Sequence, residues 1–400
     1  SLEELSKDIQ SKGGNLMTFY GNQSMVIREL IKNEKFDAIF FNKDYSPYAL
    51  RRDKETEKLC NLANIDCKMF SDYYLFEPGT VLSGKDAYKK YTPFHDRVIH
   101  HKVDKPNLKL IKNLGRGIEN LLINKHKISL KQAKDRFVKE NHNILVRGGR
   151  KHGLERLRAS SREQRHYDKM RDFFITNTTF LSAYIKFGCV SIREVYHTFL
   201  EEFGRGHGLI RELLWRDFFA HVLYSYPEVV GRSYQERYRD LDWSNSTAQF
   251  RKWCEGKTGF PIVDACMRQL NTSGYMHNRG RMTVASFLIK TLLIDWRWGE
   301  RYFAQNLTDY DIASNNGNWQ WIAGSGADSQ PYFRIFSPKE QNKNFDPDCI
   351  YIKTWIPELQ NVEPKDIINW DTEHVNYISK TAGGKYQSAN QYRNLYPKII

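Results

Sequence analysis

The chain has 400 residues and a net charge of +14 at pH 7, which allows two or three domains and favours a polyanionic partner such as nucleic acid. Its six cysteines form no CxxC pair and have no metal-ligand spacing, which argues against a metal site and predicts free thiols in a reducing compartment. No apolar run reaches the roughly 18 residues of a membrane span and no signal peptide opens the chain, so we expect a soluble intracellular protein of the cytoplasm, nucleus or nucleoid.

Residues 1–95 alternate helical and strand patterns. Hydrophobic periodicity predicts helices from Leu2 to Lys12 and from Ser24 to Lys32, and short apolar runs predict strands at Asn15–Tyr20 and Ala38–Asn42. This alternation is typical of a Rossmann-like α/β domain, because strands separated by helices pair in parallel.

Residues 96–150 are basic, weakly periodic and interrupted by Pro106 and by two adjacent glycines at 148 and 149, which predicts a long connection with some helix. Helical patterns dominate from residue 151 to residue 400, without an internal repeat. The predicted fold class is therefore α/β plus all-α, with a parallel-sheet domain at 1–95, a linker at 96–150 and a large helical domain at 151–400.

A hydroxyl-rich segment, Thr178–Ser182, precedes a helical run and follows Tyr167 and Arg171. Hydroxyls and free backbone N–H groups at the start of a helix can bind a phosphate. An ordinary hydroxyl helix cap would have the same sequence, so the segment alone does not decide between a ligand site and a cap.

Two predicted helices place polar and aromatic side chains on one face. The helix from Leu209 to Tyr224 has residues of this kind at positions i, i+3, i+4 and i+7, namely Glu212, Trp215, Arg216 and Phe219. A second helix presents a comparable set, namely Tyr275, Asn278, Arg281 and Met282. Each face is either part of a binding site or an ordinary helix face. In the ordinary case, the first helix has a surface ion pair beside a core tryptophan, and the second has core Tyr and Met residues with Asn278 as a cap.

The stretch Asp309–Trp321 packs two carboxylates, several amide or hydroxyl side chains and two indoles into thirteen positions. Its start suggests a calcium loop, but such a loop needs an oxygen ligand, glycine and glutamate at its fifth, sixth and twelfth positions. Those positions hold Ala313, Ser314 and Gln320. The stretch favours a polar pocket for a planar heteroaromatic ligand, and a loop with two core tryptophans is the alternative.

The second half of the chain resembles the flavin-binding core of the photolyase/cryptochrome family, most closely the class I cyclobutane pyrimidine dimer photolyases. The match is ungapped from Trp243 to about Leu359, a span of more than a hundred residues. It rests on motifs in fixed order, namely Gly256–Ala265, Met276–Arg279, Asp309–Trp321, Pro331–Pro338 and Phe345–Pro347. Several motifs in one order leave little room for coincidence.

The resemblance implies FAD as the cofactor. Thr178–Ser182 is similar to the family segment that holds the FAD pyrophosphate, and Asn315 matches the residue that faces flavin N5. Leu209 departs from the family pattern, because some relatives have an aromatic cofactor contact there. The residues implied to contact FAD are Tyr167, Thr178, Thr179, Leu181, Ser182, Glu212, Arg216, Asn278, Arg281, Asp309, Asp311 and Asn315.

The resemblance also implies light-driven repair of cyclobutane pyrimidine dimers, in which photoexcited reduced FAD donates an electron to a lesion flipped out of DNA. The implied lesion pocket consists of Glu212, Trp215, Asn278, Met282 and Trp321. The implied DNA contacts are Arg171, Trp215, Arg279 and Arg334. The implied electron path from the surface to the flavin is Trp243, Trp296 and Trp319.

Two other functions compete with repair. A cryptochrome-like flavin photoreceptor would share the fold and the cofactor, but it need not keep Glu212, Trp215, Asn278 and Met282 together. A DNA-binding remnant would lack flavin. Relatives that act on (6-4) photoproducts carry a second histidine at the position of Asn278, so this residue favours the dimer branch.

The first domain is shorter than its family counterpart, whose opening strand and Arg-rich loop would precede Ser1. Asn42–Pro47 and Tyr91–Phe94 match the family's later strand end and the end of its first domain. We expect a separate N-terminal segment to cover the sheet, and otherwise a monomer. Many relatives bind an antenna pigment, a folate or a deazaflavin, in or beside this domain, and the shortened domain leaves that pocket unassigned.

Overall fold

The first part of the chain forms a small α/β unit in the computed structural model, which describes residues 1–107, 111, 114, 126–374 and 377. Strands β1 (Ala38–Asn42) and β2 (Asp66–Phe70) pair in parallel, with Ala38 opposite Asp66. The helices of this unit are α1 (Leu2–Ser11), α2 (Gln23–Asn33) and α3 (Pro47–Leu62). The predicted parallel sheet is therefore confirmed, and so are the two predicted helices.

The strand predicted at Asn15–Tyr20 is wrong. Its one ladder contact among the described residues is an isolated antiparallel bridge between Phe19 and Lys127. The apolar run meets the local requirement for a strand, but a strand also needs a hydrogen-bonding partner along its length.

Short elements connect the α/β unit to the helical part. They are the antiparallel pair β3 (Leu82–Ser83) and β4 (Asp86–Ala87), α4 (Tyr91–Val98) and α5 (Leu130–Phe137). Helix α4 spans the predicted boundary at 95, and α5 supplies the helix expected in the linker. Parts of the predicted linker and of the final helical stretch lie outside the described residues.

The second part is helical, as predicted. Its α-helices are α6 (Arg150–Glu163), α7 (Tyr167–Met170), α8 (Ser182–Lys186), α9 (Ile192–Phe203), α10 (Gly208–Ser225), α11 (Thr247–Glu255), α12 (Pro261–Ser273), α13 (Asn278–Ser286), α14 (Trp296–Asn306), α15 (Ile312–Ala323), α16 (Pro338–Phe345), α17 (Ile350–Trp355), α18 (Pro364–Ile368) and α19 (Trp370–Glu373). Shorter turns of 3₁₀ or π type lie at Pro227–Val229, Glu236–Tyr238, Phe287–Thr291 and Pro357–Leu359.

Helix α15 joins two hydrophobic cores. Ala313 belongs to a cluster built mainly on α9 and α10, whereas Trp319 and Ile322 belong to a cluster built on α12 to α14. Two glycines allow the close approach: a Cβ at Gly317 would overlap the ring of Phe219, and a Cβ at Gly299 would overlap the indole of Trp319. The functional cavity lies where these two cores meet.

The loop after β2 is anchored on α10 by two buried side chains. The N–H of Phe76 donates to Asp217 Oδ2 at 2.8 Å, and the N–H of Gly79 donates to His221 Nδ1 at 3.2 Å. Burial raises the pKa of Asp217 to about 7 and lowers that of His221 to about 4. His221 is therefore neutral at neutral pH, whereas Asp217 changes its charge near pH 7. The two hydrogen bonds hold the α/β unit against the helix that forms the cavity wall.

One face of the small sheet is open to solvent. Phe40 and Phe70 are 64% and 53% exposed, and their rings stack with centroids 6.3 Å apart. Parallel sheets are normally covered on both faces, so this exposure is unusual. The six cysteines are free, as predicted. Within the described residues, no helix combines the length and apolar character needed to cross a membrane.

Candidate functional site

A cavity of about 380 Å³ opens between α10, α13 and α15. Thirteen of the residues singled out from the sequence line it, namely Arg171, Glu212, Trp215, Arg216, Asn278, Arg279, Arg281, Met282, Asp309, Asp311, Asn315, Trp319 and Trp321. Phe219 lines it too, so the four side chains predicted to share one face of α10 do share it. The chemical roles given to these residues remain predictions.

Glu212 is already engaged at the cavity wall. Arg171 Nη1 donates to Glu212 Oε1 at 2.5 Å, and both side chains are about two-fifths exposed, at 38% for Arg171 and 41% for Glu212. Burial raises the pKa of Glu212, and the charges of Arg171 and Arg211 oppose that rise. A ligand that hydrogen-bonds to Glu212 must therefore share this carboxyl group with Arg171.

Trp215 is stacked on Tyr91, a residue of the first part of the chain. The two rings lie 3.7 Å apart at an interplanar angle of 6°, and the Tyr91 hydroxyl donates to the carbonyl of Arg211 at 2.9 Å. Tyr91 does not line the cavity, whereas Trp215 does. Tyr91 thus covers one face of the indole, and the rest of the indole surface lines the cavity.

Arg216 is held between two tyrosines of the loop after β2. Its guanidinium lies 4.4 Å from the ring of Tyr73 and 4.3 Å from that of Tyr74, and Nη1 donates to the carbonyl of Tyr73 at 2.7 Å. Its Nη2 is buried without a hydrogen-bond partner. Since an orphaned buried donor is costly, this atom requires an acceptor that a cavity ligand could supply.

Asp311 caps α15 and also receives a bond from the first part of the chain. Its carboxylate accepts from the Ser314 N–H and from the Tyr73 hydroxyl, both at 2.9 Å. Burial alone would raise the pKa of Asp311, but Arg216 and Lys186, together with these hydrogen bonds, lower it. The group is a carboxylate at neutral pH, and the cations Arg216 and Lys186 balance its charge.

Asp309 connects the cavity to the hydroxyl-rich segment. Arg281 Nη2 donates to its two oxygens at 2.9 and 3.2 Å, and Ser182 Oγ donates to Oδ2 at 2.7 Å. Thr178 Oγ1 lies 3.0 Å from the Tyr275 hydroxyl, and Leu181 is buried. Tyr167, Thr178, Thr179, Leu181 and Ser182 thus lie outside the cavity lining, and of these five residues Ser182 is the one bonded to Asp309.

The second predicted helix starts later than its pattern suggested. Helix α13 begins at Asn278, and the capping side chain is His277, whose Nδ1 accepts from the Arg279 N–H at 3.1 Å. Tyr275 precedes the helix, so its placement on that face is wrong. The sequence pattern already runs through Tyr275, but the helix starts only after the buried N-cap residue His277. Asn278 Nδ2 lies 3.7 Å from Met282 Sδ, and both side chains face the cavity.

Asn315 lines the cavity and is bonded to the protein through its amide nitrogen. Its Nδ2 donates to the carbonyl of Glu300 at 3.1 Å, so its amide oxygen is the side-chain atom that can accept from a cavity ligand. The neighbouring Asn316 donates to Glu300 Oε1 at 2.9 Å and is buried. Asn315 therefore lines the cavity, whereas Asn316 is bonded within the protein interior.

The three tryptophans of the predicted electron path lie at different depths. Trp319 and Trp296 are buried in the core on α12 to α14, and Trp243 is half-buried at its edge. A fourth indole lies close to this set: Trp253 is fully buried, with its ring centroid 6.3 Å from that of Trp319. Its sequence context carries no signal that separates it from ordinary core.

The predicted DNA-side arginines differ in their surroundings. Arg279 is paired with Asp172 at 2.5 Å and lies 4.4 Å from the ring of Phe345 at the cavity wall. Arg334 does not line the cavity; its carbonyl accepts from Lys290 at 2.6 Å, and its guanidinium lies over Phe336 at 5.8 Å. Arg171 is the arginine bound to Glu212.

The donor and acceptor set fits FAD. Carboxylates, a guanidinium with an unpaired N–H and an amide oxygen line the cavity, and Asp309 connects the lining to Ser182 of the hydroxyl segment at 178–182. These groups suit the ring, the polyhydroxyl chain and the phosphates of FAD. Trp215, Met282 and Trp321 also line the cavity, and they offer flat and polarisable surface for a second ligand.

Comparison with known proteins gives concordant matches. The family model described as the FAD binding domain of DNA photolyase matches residues 209–400, and the one described as DNA photolyase matches residues 1–109. The deoxyribodipyrimidine photo-lyase of Alkalihalophilus pseudofirmus is 39% identical over 370 residues, covering 88% of this chain and 75% of that protein.

Two solved structures are similar over nearly the whole chain. An archaeal photolyase from Sulfolobus tokodaii, described with two FAD molecules, has a TM-score of 0.82 and 36% identity, covering 99% of this chain and 86% of that one. A cryptochrome from Synechocystis has a TM-score of 0.84 and 28% identity with the same coverage. The similarity therefore extends through both parts of the fold.

Proposed function

We propose that this chain, which belongs to the DNA photolyase and cryptochrome family, is a light-driven lyase that repairs cyclobutane pyrimidine dimers in DNA. The observation that carries the proposal is one cavity that joins a flavin-type donor set to an aromatic wall suited to stacked bases. The protein then acts wherever cellular DNA lies, in the cytoplasm, nucleus or nucleoid. Its net charge of +14 suits a phosphate backbone.

FAD is held by the residues on the carboxylate side of the cavity. Asp311 and Asp309 orient hydroxyl and ring groups, the amide oxygen of Asn315 accepts a hydrogen bond from the flavin ring, and Ser182 and Thr178 lie toward the phosphates. Bound in its reduced form, FAD would supply on illumination the electron that starts cleavage of the dimer and would take it back after the two bonds break, so that the reaction is redox-neutral. Arg216 Nη2, orphaned within the protein, gains an acceptor when the cofactor binds.

The aromatic wall receives the flipped-out dimer. Trp215 and Trp321 stack on its bases, Met282 fills the space beside them, and Glu212 and Asn278 hydrogen-bond the base edges. Arg171, Arg279 and Arg334 contact the DNA backbone. Flipping costs a few kcal/mol and least for a distorted lesion, so the damage itself contributes selectivity.

The experiment that tests this function is a repair assay. The purified, reduced protein is incubated with DNA that contains defined cyclobutane dimers, illuminated with blue or near-UV light, and compared with a dark control. We expect light-dependent restoration of the pyrimidines. No restoration despite bound, reduced flavin would overturn the proposal.

A cryptochrome-like photoreceptor without repair activity is the second candidate. The TM-score of 0.84 to the Synechocystis cryptochrome favours this candidate, because the fold is as similar to that cryptochrome as to the archaeal photolyase. It shares the cofactor but requires no affinity for lesions. Equal binding to damaged and undamaged DNA, with flavin bound, would favour the photoreceptor.

Replacing Glu212 by alanine should lower lesion affinity without removing flavin. The lost contact is a hydrogen bond to a charged group, worth roughly 1.5–3 kcal/mol, or about 10–100-fold in affinity. Titration of dimer-containing DNA in the dark measures this loss, and flavin absorbance reports cofactor content. Glu202→Ala is the matched control, because Glu202 pairs with Arg165 at the surface, away from the cavity. Complete loss of flavin in Glu212→Ala would contradict the assignment.

The open face of the α/β unit is a further feature of the proposal: the chain is a monomer, and a separate polypeptide segment covers β1 and the exposed rings of Phe40 and Phe70. An uncovered strand edge offers free N–H and C=O groups for a further strand. Light scattering and hydrogen exchange test this. A monomer with rapidly exchanging β1 amides is expected, whereas a dimer with protected β1 amides would show that a second copy covers the face.

A further inference from the structure

We infer that Tyr91 is a positioning residue that holds the Trp215 indole in the plane against which a flipped base stacks. This inference deepens the proposed function and rests on it. Tyr91 lies at the start of α4, in the part of the chain that precedes the helical domain, and it does not touch the cavity. Its action on a bound lesion is therefore exerted through Trp215.

The geometry leaves Trp215 with two unequal faces. Tyr91 covers one face almost parallel, at 3.7 Å and 6°, which is the separation of fully overlapped rings. The remainder of the indole contributes to the cavity wall with Glu212 and Met282. A base that enters the cavity and stacks on Trp215 therefore extends a stack that Tyr91 and Trp215 already form within the protein.

A third ring fixes this pair. Phe218 is buried and lies nearly perpendicular to both rings, with its centroid 5.9 Å from that of Tyr91 at 84° and 5.6 Å from that of Trp215 at 88°. The Tyr91 hydroxyl donates to the carbonyl of Arg211, one helical turn before Trp215, which ties the tyrosine to the same helix. Only 8% of Tyr91 is exposed. The ring therefore has little freedom, and neither has the indole that it covers.

Without the Tyr91 ring, space opens behind Trp215 and the indole can tilt away from the cavity. A bound base would then have to order the indole as well as itself, which reduces the gain from stacking. Base stacking on an aromatic side chain strengthens binding by about 5- to 150-fold, so losing about half of that stacking free energy weakens affinity by about fivefold. Undamaged duplex, which keeps its bases stacked, should bind as before.

The test compares Tyr91→Leu with Tyr91→Phe in the flavin-bound protein. Dissociation constants are measured in the dark for duplex DNA with one cyclobutane dimer and for the same duplex without it. Tyr91→Leu should lose about fivefold in the ratio of the two affinities, and Tyr91→Phe, which keeps the ring, should retain most of that ratio. Tyr88→Leu is the matched control, because Tyr88 contacts Phe94 and lies three residues from Tyr91.

The outcomes separate this inference from the proposed function. A wild-type chain that does not prefer the dimer would refute the function itself. A wild-type preference that persists in Tyr91→Leu, with flavin content and melting temperature unchanged, would overturn the inference alone. Should Tyr91→Leu fail to fold, Tyr91→Met, which is unbranched and still buries apolar surface, is measured in the same way. Retention of the preference in that variant would equally overturn the inference.

Discussion

Replacing Trp319 by phenylalanine is expected to stop photoreduction of the bound flavin by the protein while leaving dimer repair by chemically reduced protein intact. Trp319 lines the cavity and is also buried among the rings of the core, so it is the indole that connects ligand and interior. Phenylalanine keeps an apolar ring against Gly299 and Phe303 but is much harder to oxidise. The proposed route through Trp296 and Trp243 would then lack its first member.

Two measurements check this result. The loss of the oxidised flavin's visible absorbance under blue light, with an external thiol present, reports photoreduction, and a repair assay after chemical reduction reports the lesion site. Trp253→Phe is the control of choice, because Trp253 is the buried indole 6.3 Å from Trp319 that is not part of the proposed route. Full photoreduction in Trp319→Phe, or its loss in Trp253→Phe alone, would show that electrons travel by another path.

Replacing Asp309 by alanine should both destabilise the protein and remove most of the flavin. Asp309 is nearly buried and accepts from Arg281 and Ser182, so the variant leaves a cationic side chain without its partner. Breaking a buried ion pair costs about 3–5 kcal/mol, and the partial exposure of Arg281 places the expected loss of unfolding free energy at about 3 kcal/mol. Flavin is lost because the cavity wall and the 178–182 segment are held together at this carboxylate.

A double-mutant cycle measures this pair. Unfolding free energies in urea are compared for Asp309→Ala, Arg281→Ala and the double variant in flavin-free protein, and the flavin-to-protein absorbance ratio is recorded separately. Asp309→Asn, which keeps an acceptor but not the charge, should lose less stability than alanine. If the two single losses add without coupling, the ion pair does not stabilise this wall.

Local patterns predicted a good deal of this structure. The 3.6-residue period gave the face of α10 that lines the cavity, and the alternation of helices and strands gave the parallel pair β1 and β2. Both depend on residues close in sequence, whose side chains share a direction because of backbone geometry alone. The same reasoning failed at Asn15–Tyr20, because an apolar run there has no partner strand along its length. It also failed at Tyr275, because the helix starts only after its N-cap residue His277.

The amino-acid sequence by itself determined which chemical groups are present and which helical faces carry them, because these follow from residue order and helical period. Only the tertiary structure decided what stands behind those faces. Tyr73 reaches Asp311 across 238 positions, Tyr91 reaches Arg211 across 120, and Arg171 takes up Glu212 across 41. Such contacts depend on how whole elements pack, because the free energy that selects them comes from burying side chains of distant segments together, and no local period encodes it.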